Sequence, residues 1–205
     1  VFERSNYIAY HDPRWWVEFQ SGSYIQTIDV SVGDKINIQL RWDDQWGQAN
    51  SDLDLYLYSP SLTAVDSSTD SQQGNSGQDP YEFLSYTAPT TGSYRVKVKH
   101  YSGPVPDWVQ LNVFSNHNLS IPVSDRSVSS PSESANPGLL SVGATAWSLH
   151  TIIEPFSGRG PTIDGRIKPD IVGTDRGDSI SYGAFAGTSQ ASPHVAGLAA
   201  LVKQR

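Results

Sequence analysis

Cysteine and methionine are both missing from the 205 residues. Without thiols the chain forms no disulfide, carries out no thiol catalysis and builds no cysteine zinc site, although this leaves its compartment open. The lack of methionine, in a chain beginning with Val1, points to a fragment or processed product. No apolar run reaches the length of a membrane-spanning helix. Val1-Phe2-Glu3-Arg4 has neither the apolar stretch nor the small-residue cleavage site of a signal peptide, so any export signal is expected upstream. Positive charge is in the minority, with 14 Lys and Arg against 21 Asp and Glu, and the net charge of −7 argues against nucleic acid or an anionic membrane as partner. Apolar residues are nonetheless 37% of the chain, enough for a globular core.

Two textures follow one another. From Trp15 to Phe114 apolar and polar residues alternate, as they do in half-buried strands. Ile36, Ile38, Leu40 and Trp42 alternate with Asn37, Gln39 and Arg41; Leu53, Leu55 and Leu57 with Asp54 and Tyr56; Tyr94, Val96 and Val98 with Arg95 and Lys97. Further strands are predicted at Trp15–Phe19, Tyr24–Val30, Tyr81–Thr87 and Trp108–Phe114, between turn-rich breaks such as Ser67–Pro80 and Pro89–Gly92. Strands with one apolar face need a second sheet to cover it, which predicts a sandwich or jelly roll. Beyond Ser124 the grammar becomes strand, loop, helix. Leu139–Ala144 and Arg166–Val172 lead into buried strands, and Ser192–Lys203 has helical spacing with cations at its C-terminal end.

The most informative string is Gly187-Thr188-Ser189-Gln190-Ala191-Ser192-Pro193-His194-Val195-Ala196-Gly197. Ser189 stands at the start of the predicted helix, behind a glycine that permits close approach. The helix N-terminus offers unpaired N–H groups and partial positive charge, which suits a nucleophile whose attack creates an oxyanion. Ser and Thr are also common helix caps, and spacing alone leaves both readings open. Pro193 is expected early in the helix, where its missing N–H costs little.

This string resembles the catalytic-serine signature of subtilisin-like serine peptidases, the subtilases. Asn136–Ala144, Phe156-Ser157-Gly158-Arg159-Gly160-Pro161 and Lys168-Pro169-Asp170-Ile171-Val172 resemble further family segments in the right order. The resemblance implies that Ser189 is the acylating nucleophile of a secreted, extracellular endopeptidase acting on protein or peptide substrates, with no cofactor required for catalysis. It implies that Ser189 donates its own N–H to the oxyanion and that His194 is a packing residue rather than the base. The family's Asp-Ser/Thr-Gly and His-Gly-Thr-His motifs are absent, and its oxyanion asparagine is expected upstream of Val1. The 205 residues alone are therefore expected to be inactive, because a serine without its base is a poor nucleophile. After Val172 the family has Ala-Pro-Gly, whereas this chain has Gly173-Thr174-Asp175.

The first texture resembles the pre-peptidase C-terminal type of accessory domain, on Leu40–Asp44, Ser51–Leu57, Asp79–Glu82 and Thr91–Val98. The expected fold is mainly β: a jelly-roll or β-sandwich domain inserted in a partial α/β subtilisin-like catalytic domain. Residues 1–10 are assigned to the catalytic portion, 11–120 to the inserted sandwich and 121–205 to the serine-bearing portion. Asp43, Asp44, Asp52 and Asp54 are candidate ligands for a structural calcium ion. The competing reading, a solvated polar face, is preferred because the spacing is not that of a calcium loop. Trp15, Trp16, Trp42, Trp46 and Trp108 are candidates for a ligand platform or for core and rim, Trp46 being the best exposed candidate; Arg95, Lys97 and Lys99 are expected on a solvated strand face. Apolar residues such as Leu198, Leu201 and Val202 are expected at the surface, which predicts self-association. A peptidase portion and a binding or accessory module for protein or polysaccharide are the two functional readings.

Overall fold

Period-2 alternation resolves into six of the eight strands of the first unit, seen in a computed structural model that describes residues 2–7, 16–19, 22–114, 128, 131–162, 164–181 and 183–204. The chain divides into two units, Val1–Ser124 and Asp125–Arg205. The strands of the first unit are β1 (Phe2–Tyr7), β2 (Gln26–Val30), β3 (Lys35–Trp42), β4 (Asp52–Tyr58), β5 (Ala64–Ser68), β6 (Tyr81–Thr87), β7 (Gly92–Ser102) and β8 (Val109–Phe114). They form two four-stranded sheets, ordered β1-β8-β3-β6 and β2-β7-β4-β5, and every pairing is antiparallel.

One core closes the two sheets. Ile36, Ile38, Leu40 and Trp42 of β3, Leu111 and Val113 of β8, Leu53, Leu55 and Leu57 of β4 and Tyr94, Val96 and Val98 of β7 are all buried in a single cluster. These are the alternating positions picked out in the sequence, so the pleat carries the pattern directly into the sandwich.

Two strands lie outside the predicted set. Ala64–Ser68 is too polar to show alternation and is held as an edge by β4. Phe2–Tyr7 pairs with β8 over its whole length, from Phe2 opposite Phe114 to Tyr7 opposite Val109. It satisfies backbone groups of β8 that would otherwise form a bare edge, so these residues belong to the sandwich sheet and not to the catalytic portion expected for 1–10. The predicted strand at Trp15–Phe19 contributes a bridge from Trp16 to Lys99 and a bond from the Val17 N–H to the Val98 carbonyl; Trp15 lies outside the described residues.

The second unit holds β9 (Val142–Ala146), β10 (Leu149–Ile153), β11 (Ile171–Asp175), the short pair β12 (Asp178–Ser179) and β13 (Gly183–Ala184), and α1 (Thr188–Lys203). β9 is central, antiparallel to β10 and parallel to β11. The helix packs on β9 and β11 through Gln190, Ala191 and Val195. Gly173 makes that approach possible, since a Cβ there would stand 2.5 Å from the Ala191 carbonyl oxygen. Leu198, Leu201 and Val202 on the same helix are exposed.

Candidate active site

The three segments flanking the serine string knit into one support. The Ser157 hydroxyl accepts the Ala144 N–H at 3.0 Å, tying Phe156–Pro161 to β9. The Asp170 carboxylate accepts both the Lys168 ammonium and the Ser141 N–H at 2.7 Å. The Lys168 bond, then the Ser141 N–H, hold the Asp170 carboxyl below the usual carboxylate range.

On this support Ser189 is the second residue of α1 and is exposed. Gly187, the residue before the helix, has φ 137° and ψ 163°, backbone that side chains rarely adopt. Its carbonyl accepts the N–H groups of Gln190 at 2.9 Å and Ala191 at 3.3 Å, which closes the first turn. The first turn holds no acidic residue of its own, and its partial positive charge faces both the Asp175 carboxylate at the Gly187 N–H and any oxyanion that develops at Ser189. Pro193 is the sixth helical residue rather than an early one. It brings no N–H to the Ser189 carbonyl, so one helical bond is forfeited directly over the serine.

No described histidine is bonded to the Ser189 hydroxyl. His194 turns its Nδ1 to the Thr174 carbonyl at 3.0 Å and ties helix to strand. His150 is exposed on β10, His100 is buried within the sandwich, and His11 and His117 lie outside the described residues.

The last residue of β11 and the two that follow it form a set of anchors that the sequence reading did not pick out. Asp175 is fully buried, and its Oδ2 accepts the Gly187 N–H at 3.0 Å. Arg176, at φ 60°, grips Glu154 through two bonds of 2.5 and 3.0 Å, and this keeps the Glu154 carboxyl below its ordinary range. Gly177 exchanges two bonds with the Gln190 side chain, its N–H reaching Oε1 at 3.1 Å and its carbonyl receiving Nε2 at 2.9 Å. The only sequence signal was the replacement of Ala-Pro-Gly by Gly173-Thr174-Asp175. A cavity of about 400 Å³ opens beside the Arg176–Glu154 pair, lined also by Ala146, Leu149, Ile152 and Pro155.

The sandwich aspartates do not converge. Asp43 accepts the N–H groups of Asp107 and Trp108, and Asp44 accepts those of Asn50 and Ser51 together with the Ser51 hydroxyl. Both act as loop clips. Asp52 and Asp54 are buried, not on the solvated face preferred above; Asp54 accepts the Tyr56 hydroxyl at 2.8 Å, and burial raises its pKa. Among the described residues no three His, Asp or Glu side chains gather as a metal group. The strand face bearing Lys97 is also covered, because Trp16 packs edge-on to Tyr56 and the Lys97 ammonium sits 3.4 Å from the Trp16 ring centre. Trp42 is core, Trp108 is half-buried under Arg41, and Trp46 stands 56% exposed beside Tyr81 and Phe83.

Comparison with known proteins adds three findings. A family model described as the subtilase family matches residues 28–205. The structure of the Clostridium perfringens CspB protease superposes on 98% of the chain with a TM-score of 0.62 and 16% identity, a likeness of fold. The chain spans 45% of that protease. The VP2 subviral particle of infectious bursal disease virus matches 57% of the chain and 33% of its own, at 18% identity and a TM-score of 0.25, too low to carry an argument.

Proposed function

The chain belongs to the subtilase family, and on that premise we propose that it is the serine-bearing part of a secreted subtilisin-like endopeptidase that cleaves protein or peptide substrates through an acyl-enzyme at Ser189. The observation that carries this is the placement of Ser189 second in α1, behind Gly187 and inside the eleven-residue string Gly187–Gly197.

The Ser189 oxygen attacks the scissile carbonyl while its proton passes to a base. The carbonyl oxygen becomes an oxyanion, which the Ser189 N–H at the helix terminus stabilises. Collapse expels the amine, which takes up the proton, and leaves the acyl group on Ser189; water then releases the acid. Neither the base nor the aspartate that orients it has its motif in the 205 residues, so the chain alone is inactive in this reading. Catalysis needs no cofactor.

The strand orders β1-β8-β3-β6 and β2-β7-β4-β5 support reading the first unit as a jelly roll, and we place it as a module inserted into the peptidase. Its row of exposed Trp46, half-buried Tyr81 and exposed Phe83, with successive ring centres 6.4 and 6.5 Å apart, favours the second reading, an accessory binding module. The exposed apolar positions of α1 support self-association of the isolated chain.

Fluorophosphonate labelling read by intact mass tests the peptidase reading, on this chain and on one extended upstream through the Asp and His motifs. A single adduct at Ser189 in the extended form, lost in Ser189→Ala, is expected. No adduct in either form would leave the accessory-module reading in its place.

A further inference from the structure

We propose that Asp175 and Gln190 are positioning residues for Ser189, tying the first turn of α1 to residues 175 and 177 at two points; this rests on Ser189 being the nucleophile. The direction of a side chain at the second position of a helix is set by the frame of the first turn. That frame hangs on Gly187, whose backbone lies where few side chains are tolerated and whose N–H is taken by Asp175. Gln190, the next residue after Ser189, is buried and spends both ends of its amide on Gly177. Residues 175 and 177 therefore hold residues 187 and 190, with Ser189 between them.

General stability does not account for this arrangement. Asp175 is 0% exposed, and its Oδ1 has no hydrogen-bond partner among the described residues. Such a half-used buried carboxylate is costly. Its other oxygen lies on the Gly187 N–H at the positive end of α1, where a negative charge is partly offset. The bond from Arg176 to Glu154 and that from His194 to the Thr174 carbonyl anchor the same segment, so the grip is on a fixed frame.

The test uses the full-length peptidase with Asp175→Ala, Asp175→Asn and Gln190→Ala, measuring the rate of fluorophosphonate acylation together with kcat and KM on a peptide. Loss of either grip is expected to slow acylation and kcat by about 10- to 100-fold with KM little changed, since small misplacements of a reacting group have that cost. Asp175→Asn retains an acceptor oxygen and is expected to recover most of the rate. Wild-type acylation in Asp175→Ala, or a loss confined to KM, overturns the proposal. Hydrogen exchange on the 205-residue chain covers variants that lose activity by misfolding. The Gly187 amide should exchange faster in Asp175→Ala while amides of β9 keep their protection, and an unchanged Gly187 amide overturns the grip itself. If wild type takes no label, or Ser189→Ala still does, the nucleophile reading has failed and the positioning role falls with it, whatever the exchange shows.

Discussion

Replacing Glu82 by glutamine should stabilise the sandwich at alkaline pH and leave it unchanged in acid. Glu82 lies on β6 opposite Leu40, so its side chain points to the core face, and it is 1% exposed. Its carboxylate accepts the Ser68 hydroxyl and, at 2.8 Å, the Gln72 amide. Those two bonds favour the charged form, but burial outweighs them, helped by the negative charges of Asp70 and Asp54, and pushes the pKa from 4.5 to about 7. The folded state thus holds a proton that the unfolded chain releases above pH 4.5. Stability from this group is complete below that value and is lost as pH rises through about 7. At about 1.36 kcal/mol per pH unit, the loss approaches roughly 3 kcal/mol. Glutamine has nearly the same shape and no charge to desolvate, and its amide can still serve Ser68 and Gln72. Urea unfolding followed by tryptophan fluorescence, with buried Trp42 as the sandwich reporter, should show wild type and Glu82→Gln coinciding near pH 4. The variant should then gain progressively to about 3 kcal/mol by pH 8.5. A difference independent of pH, or a variant less stable than wild type at pH 8.5, would refute the reasoning.

Three further outcomes follow from the packing. Gly173→Ala places a Cβ 2.5 Å from the Ala191 carbonyl and 2.9 Å from Val195, so α1 must lift from β11. The expected cost is about 1–3 kcal/mol, with loss of Ser189 labelling in the extended protein, seen by thermal unfolding and intact mass. Asp44→Ala leaves the Asn50 and Ser51 donors without their acceptor; about 1–3 kcal/mol and faster exchange of those two amides are expected. Leu55→Ala, at a fully buried position of β4, should cost about 2–5 kcal/mol in urea unfolding.

The two units carry separate kinds of information. In the second, function is concentrated in one turn, and the surrounding bonds serve to hold it. Ser157 reaches Ala144, Asp170 reaches Ser141, and Asp175 reaches Gly187. Each is a side chain accepting a backbone N–H; Ser141 and Gly187 stand where a loop meets a strand or the helix, and Ala144 lies within β9. In the first unit the same device appears as the loop clips of Asp43 and Asp44.

The sequence by itself determined the sandwich core, because alternating Ile36, Ile38 and Leu40 or Leu53, Leu55 and Leu57 have only one way to bury a face on a pleated strand. It also determined where Ser189 sits, since Gly187 and the Ala-rich run after it dictate a turn followed by a helix. Tertiary structure decided what no local pattern encodes. Phe2–Tyr7 became the partner of β8 because an open edge more than a hundred residues away needed one. Asp52, Asp54 and Glu82 became buried because neighbours brought together by folding covered them. Asp175 reached Gly187, and Gln190 reached Gly177, only once β11 and α1 were packed through Gly173. Periodicity is a property of neighbours along the chain, whereas edges, buried charges and grips depend on which distant segment arrives.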